Sequence, residues 1–180
     1  SIERRQTNLA KKIRTGDKEA IGPSKILEKA YEKLKDGQTA RKMDITEDEK
    51  PLLKHLQLIT MKPILYVCNV SESEAKDGNE WTKRVAEFAT SEGAKSVIIS
   101  AAIESEISVL ETADDKTAFL DSLGLKETGL SRIIKEGYAL LGLNTFFTIG
   151  PKEARAWTVE KGAFAPQAAG VIHSDFERGY

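Results

Sequence analysis

The sequence predicts an α/β fold behind a helical front end, and three observations carry that prediction. Ile64 to Cys68 is an unbroken apolar run of strand-forming residues. A second such run, Ser96-Val97-Ile98-Ile99, follows a stretch of helical periodicity; strand, helix, strand over about 40 residues is a βαβ unit, whose crossover is right-handed. From Asn144 the pattern changes to strand-like alternation on either side of Gly150-Pro151-Lys152-Glu153, the signature of a hairpin.

Composition bounds the rest. A chain of 180 residues holds one good-sized domain, or one and part of another. Net charge is −1, so no strong field dictates the partner. Residues 1–60 carry 14 Lys/Arg against 10 Asp/Glu, a mildly basic front end that reads first as a solvated helix surface. The single cysteine, Cys68, lies inside the apolar run and is predicted to be a buried small hydrophobe. No disulfide can form within the chain, which fits a cytoplasmic location. No run approaches the ~20 apolar residues a membrane span needs, so no membrane partner is expected. The start, Ser-Ile-Glu-Arg-Arg, has no signal-peptide pattern and no Met, so residue 1 is expected not to be the natural start.

In chain order, residues 1–14 read as a helix with Ile2, Leu9, Ala10 and Ile13 on one stripe. After Thr15-Gly16-Asp17, Pro23-Ser24 opens a second helix, with Ile26, Leu27, Ala30, Tyr31 and Leu34 at helical spacing and Asp36-Gly37 as its end. The pair suggests an antiparallel hairpin, too short to be stable alone. Residues 38–45 are polar loop. Thr46 and Glu49 form a capping-box pattern before Leu52, Leu53, Leu56 and Leu58. His55 within that helix has no second His or Cys at ligand spacing, so it is read as a surface or packing residue and no metal site is proposed. Pro63 suits the first position of the strand that follows, and the strand's lack of alternation predicts cover on both faces. Residues 79–92 are predicted helical, with Trp81, Val85, Phe88 and Ala89 on one face and Gly93 as the stop. Residues 105–123 are mostly helical with an acidic break near Asp114-Asp115, and residues 127–141 form another helix closed by Gly142. A short helix near 166–170 follows the hairpin. The module from 144 has too few residues for an independent core and is expected to be partial.

The two parallel strands place their polar tips, Asn69 to Glu72 and Ser100 to Ala102, side by side at the carboxyl edge, where open α/β sheets bind ligands. The plainer alternative is that Asn69 and Glu72 turn the chain and cap the next helix. Asn69-Val70-Ser71-Glu72 and Ser100-Ala101-Ala102-Ile103-Glu104 resemble the base-recognition pair of P-loop GTPases, usually N-K-x-D and S-A-x. The variant with Glu for Asp and no Lys resembles the YchF branch of the Obg-like family. The stretches Asn144 to Gly150, Glu153 to Gly162 and His173 to Tyr180 resemble that branch's TGS domain, and the helical front matches its coiled-coil insertion.

The resemblance implies the second half of a Ras-like P-loop nucleotide hydrolase domain. Residues 1–58 would be the helical coiled-coil insertion and return helix, 59–142 the C-terminal half of the nucleotide-binding domain, and 143–180 the start of a β-grasp-like TGS domain. It further implies ATP or GTP as ligand, Mg²⁺ as cofactor, a monomer, and the ribosome and its rRNA as partner through the coiled coil and TGS module. Base contacts would fall on Asn69, Val70, Ser71, Glu72, Ser100, Ala101 and Ala102. Glu72 is one methylene longer than the usual Asp, whose carboxylate takes two hydrogen bonds from the guanine edge. Asn69 can donate or accept, so its amide suits adenine as well as guanine. No G-x-x-x-x-G-K-[ST] occurs, and Gly-Lys occurs nowhere; the phosphate loop, switches and Mg²⁺ ligands are expected upstream of Ser1, leaving residues 1–180 inactive alone. Asp121 to Gly124 fits D-x-x-G but follows the base motifs, and is read as a packing helix. The competing reading is a non-enzymatic RNA or protein adaptor. A hydrolase built on His55 or His173 with a nearby carboxylate has little support, because such groups are assembled in space and not by adjacency.

Overall fold

The computed structural model describes residues 2–180. The chain divides into two compact units, one ending at Pro63 and the other running from Ile64 to Tyr180.

The first unit is helical. α1 (Ile2–Arg14) and α2 (Ile21–Lys35) pack together, and α3 (Lys50–Lys54) closes the end. Ile26, Ala30, Ala40, Met43 and Leu53 form its core. α2 starts two residues before the predicted Pro23. Asp17 accepts a hydrogen bond from the Glu19 N–H at 3.0 Å and starts a 3₁₀ turn that runs into the helix. Pro23 then occupies the first turn, where its missing N–H is one the helix would leave unpaired. The predicted third helix is short. Glu49 Oε2 accepts from the Thr46 N–H at 3.0 Å, but α3 stops at Lys54, and Gln57 takes a positive φ of 50°. Leu56 and Leu58 therefore pack on the core from outside the helix.

The second unit contains the βαβ unit. β1 (Leu65–Asn69), α4 (Glu80–Ser91) and β2 (Lys95–Ile99) follow one another, with β1 and β2 parallel and Asn69 opposite Ile99. α5 (Ala101–Ser108) starts at once from the tip of β2, and α6 (Ala113–Ser122) and α7 (Gly129–Leu141) follow. Ala75, Ile103, Ile107, Leu120 and Leu125 form a core cluster. Gly142, with φ 63°, ends α7 in the left-handed conformation that favours glycine. β3 (Leu143–Ile149) and β4 (Ala154–Glu160) make the antiparallel hairpin, with Phe146 opposite Trp157. α8 (Ala165–Ile172) and α9 (Ser174–Arg178) complete the unit.

Four expectations are corrected. The cover on β1 is incomplete: α4 and α7 both contact it, yet Val67 is 45% exposed, and it has one strand neighbour among the described residues. Cys68 is half-buried, not buried. On α4 the buried positions are Thr82 and Ala89, while Trp81 and Phe88 are exposed. The helix is rotated because its small side chains let it lie close to the sheet, and Phe88 instead meets the Tyr66 ring edge-on at 5.9 Å. The break between α5 and α6 falls at residues 109–112, ahead of the acidic pair. Asp114 and Asp115 occupy the first turn of α6, where carboxylates suit the helix dipole and Thr112 Oγ1 accepts from the Asp115 N–H at 3.1 Å. Among the described residues no helix is long and apolar enough to cross a membrane.

Candidate functional site at the parallel strand tips

Parallel pairing at residue-for-residue register brings the ends of β1 and β2 level. The pairing continues one step past the strands, where the Val70 N–H donates to the Ile99 carbonyl at 2.9 Å. At the next step a side chain takes over. Asn69 Oδ1 accepts from the Ala101 N–H at 2.9 Å, so the amide of one tip caps the helix that leaves the other. With Oδ1 engaged, Asn69 presents Nδ2 and its two hydrogens outward as donors. The Ala102 N–H lies in the same first turn of α5, whose backbone donors lack intrahelical partners. The edge therefore offers donors from two directions, which suits acceptors such as a purine N7 or a guanine O6.

The remaining predicted residues are placed as follows. Val70 is half-buried, beside Asn69. Ser71 donates its hydroxyl to Glu74 Oε2 at 2.7 Å, and its N–H approaches the same oxygen at 3.4 Å; the hydroxyl is thus engaged in a capping box over residues 72–74. Hydrogen bonds from Ser71 and then Asn79 hold the Glu74 carboxyl below its ordinary range. Glu72 is exposed in the first turn of that segment, free of the capping role that Glu74 fills. Ser100 is 2% exposed, and its Oγ has no hydrogen-bond partner; an unpaired buried hydroxyl costs about 1–3 kcal/mol. Ala101 and Ala102 are exposed. The structure thus brings Asn69, Val70 and Ser100 to Ala102 together at one edge, with Glu72 on the loop that leaves it.

This edge is open. Cavities of the unit lie elsewhere: one of about 360 Å³ between α4, β2 and α7, lined by Thr82, Val97, Arg132 and Lys135 among others, and one of about 560 Å³ along α7 and β3, lined by Tyr138, Leu143 and Lys161 among others. Among the described residues no three His, Cys, Asp or Glu side chains are grouped as a metal site requires. At the strand tips the one exposed carboxylate is Glu72, beside an amide and small side chains, which is not a clustered set of hard oxygen ligands for Mg²⁺.

Glu104 is a contact that sequence reasoning missed. Its carboxylate accepts from the Gly129 N–H at 2.5 Å and the Leu130 N–H at 3.2 Å, at the start of α7. Nothing in the spacing of 25 residues signals that meeting. The available clue was Gly129, a glycine at a helix start, where a Cβ would lie 2.8 Å from Ile99 Cγ2 and 2.9 Å from Glu104 Oε1.

Comparison with known proteins bears on this geometry. The family model YchF-GTPase_C, described as "Protein of unknown function (DUF933)", matches residues 143–180. The Ribosome-binding ATPase YchF of Bacillus subtilis (strain 168) is 47% identical over 182 residues, covering 100% of this chain and 50% of that protein. The protein of the same name from Haemophilus influenzae is 44% identical over 180 residues, covering 100% of this chain and 49% of its own. The solved structure of the Schizosaccharomyces pombe YchF GTPase matches 99% of this chain and 49% of its own, with a TM-score of 0.82 at 31% identity. The chain thus spans about half the length of the curated relatives it matches. With sequence and α/β architecture in agreement from end to end, the chain belongs to the YchF family.

Proposed function

We propose that this chain carries the purine-reading half of a ribosome-associated, YchF-type nucleotide hydrolase acting on ATP or GTP. One observation carries the reading: the 2.9 Å hydrogen bond from the Ala101 N–H to Asn69 Oδ1. It joins the two strand tips and leaves the Asn69 Nδ2 hydrogens as the amide's remaining donors. Asn69 and the Ala102 N–H then donate to acceptors on the base rim. Val70 packs on the purine face, and the Glu72 carboxylate accepts from the base's own N–H groups. Ser71 serves by shaping the loop, and Ser100 by starting α5. The relatives' names, ribosome-binding ATPase and GTPase, support this reading over a non-enzymatic adaptor.

On this reading residues 59–142 form the second half of a Ras-like nucleotide domain, residues 1–58 its helical insertion and 143–180 the start of a TGS domain. Phosphate and Mg²⁺ binding belong to the half of the relatives' length that this chain does not span. α1 supports a ribosome contact: it carries Arg4, Arg5, Lys11, Lys12 and Arg14 against Glu3 alone and buries none of its residues, as phosphate-facing helices do. A ribosome partner places the proposed activity in the cytoplasm, and the protein is proposed to act as a monomer.

The reading predicts that Asn69→Ala in the full-length protein weakens nucleotide binding about tenfold, the loss of one well-placed polar pair, as measured by titration with a fluorescent ATP analogue. It also predicts that residues 1–180 alone bind ATP far more weakly than the full-length protein, because phosphates supply most of the affinity. Tight, Mg²⁺-dependent binding by residues 1–180 alone would overturn the division of labour.

A further inference from the structure

We propose that Glu104 is a positioning residue for the base-reading edge: by tying α5 to the start of α7, it sets where Ala101 and Ala102 stand against Asn69. The inference rests on the purine reading above.

The contacts form one connected series. The Gly129 and Leu130 N–H groups donate to the Glu104 carboxylate at 2.5 and 3.2 Å. The Glu104 N–H donates to the Ser100 carbonyl at 3.0 Å. The N–H of that same peptide group, carried by Ala101, donates to Asn69 Oδ1 at 2.9 Å. Each end of the series is a helix N-terminus, and each is held by a side chain from a different element.

Helix geometry gives Glu104 a task that packing alone does not perform. α5 is only eight residues long, and its buried side chains, Ile103 and Ile107, are four residues apart. They lie one above the other on a single stripe, so they resist lifting of the helix more than rolling about that stripe. Glu104 stands about 100° further round the axis, and its two hydrogen bonds oppose the roll. A roll would swing the Ala101 and Ala102 N–H groups relative to Asn69. The carboxylate also faces the positive end of the α7 dipole, which strengthens the tie.

The approach is built into the backbone. Gly129 is buried, and a Cβ there would meet both Ile99 and Glu104 inside van der Waals contact. Local capping of α7 is already supplied by Thr128, whose Oγ1 accepts from the Ser131 N–H at 3.0 Å. Glu104 adds to that cap a link to the element carrying the base contacts.

The test compares Glu104→Ala and Glu104→Gln in the full-length protein, with two readouts. Hydrogen exchange of the ligand-free protein reports the series directly. Glu104→Ala is expected to raise exchange at Ala101 as well as at Gly129, and Glu104→Gln, which keeps an acceptor oxygen, to restore most of the protection. In steady-state kinetics Glu104→Ala is expected to raise KM for the nucleotide about tenfold, the loss of a charge-assisted hydrogen bond, with kcat within about twofold and partial recovery in Glu104→Gln. Faster exchange at Gly129 with Ala101 and KM unchanged would make Glu104 a plain cap of α7 and overturn the proposal. So would a general rise in exchange across the unit with a fall in Tm, which would mark a merely structural residue. Failure of the purine reading shows differently: Asn69→Ala would then leave KM unchanged while the exchange coupling between Glu104 and Ala101 persists.

Discussion

Ser71 and Glu74 show how a polar tip is held in shape by its own residues. The Ser71 hydroxyl, followed by the Asn79 side chain, lowers the Glu74 pKa. A carboxyl with a depressed folded pKa stabilises the fold above the ordinary carboxylate range, and that contribution is lost as pH falls through the lowered value. Ser71→Ala is therefore expected to bring the Glu74 titration back toward its ordinary value, read by carboxyl-detected NMR, and to loosen residues 72–74. At this scale the sequence was partly legible. Asn69 and Ser100 to Ala102 could be brought together on paper because a βαβ unit levels its strand ends. The bond from Ala101 to the Asn69 oxygen could not, since either atom of the amide might have faced the helix. Glu104 escaped because its partners, Gly129 and Leu130, are backbone groups far along the chain, and backbone donors leave no trace in side-chain patterns.

Among the elements, α7 offers a paired experiment. Gly129 and Gly137 both lie in this helix, yet a Cβ at 129 would press on Ile99 and Glu104, while one at 137 would meet nothing within 4 Å. Gly129→Ala is expected to cost about 1–3 kcal/mol by overpacking, and Gly137→Ala to gain up to ~1 kcal/mol from helix propensity; thermal unfolding of both variants separates the two effects. Element ends were legible where glycine supplied them. Gly93 and Gly142 take φ values of 67° and 63°, as a helix stop requires, and Gly124 at 66° follows the Leu120 packing residue that argued against a switch motif. Ends set by tertiary contact were not legible. α3 is only five residues, and Leu56 and Leu58 pack on the core from beyond its end, while α4 hides Thr82 and Ala89 instead of Trp81. Hydrophobic periodicity marks where apolar side chains fall, and close approach to a sheet can favour small ones over large.

Across the whole chain, two units each carry a core of their own, with Leu53 at 1% exposure in the first and Ile103 at 2% in the second. Leu53→Ala and Ile103→Ala are each expected to cost about 2–5 kcal/mol, measured by site-resolved hydrogen exchange at amides of the unit concerned. The class of fold was legible because its signals are long: two apolar runs, a helix between them and a change of period at Asn144. The exposure of β1 was not, because an unbroken apolar run states what a strand would bury and not what lies beside it. That strand has a practical consequence. Its outer rim of amide and carbonyl groups, with Val67 45% exposed, is a template on which a like strand from another molecule can pair. Residues 64–180 prepared in isolation should accordingly self-associate as concentration rises, and a lysine at position 67 should suppress the resulting light scattering, because a charge on such a rim is incompatible with stacking strand on strand.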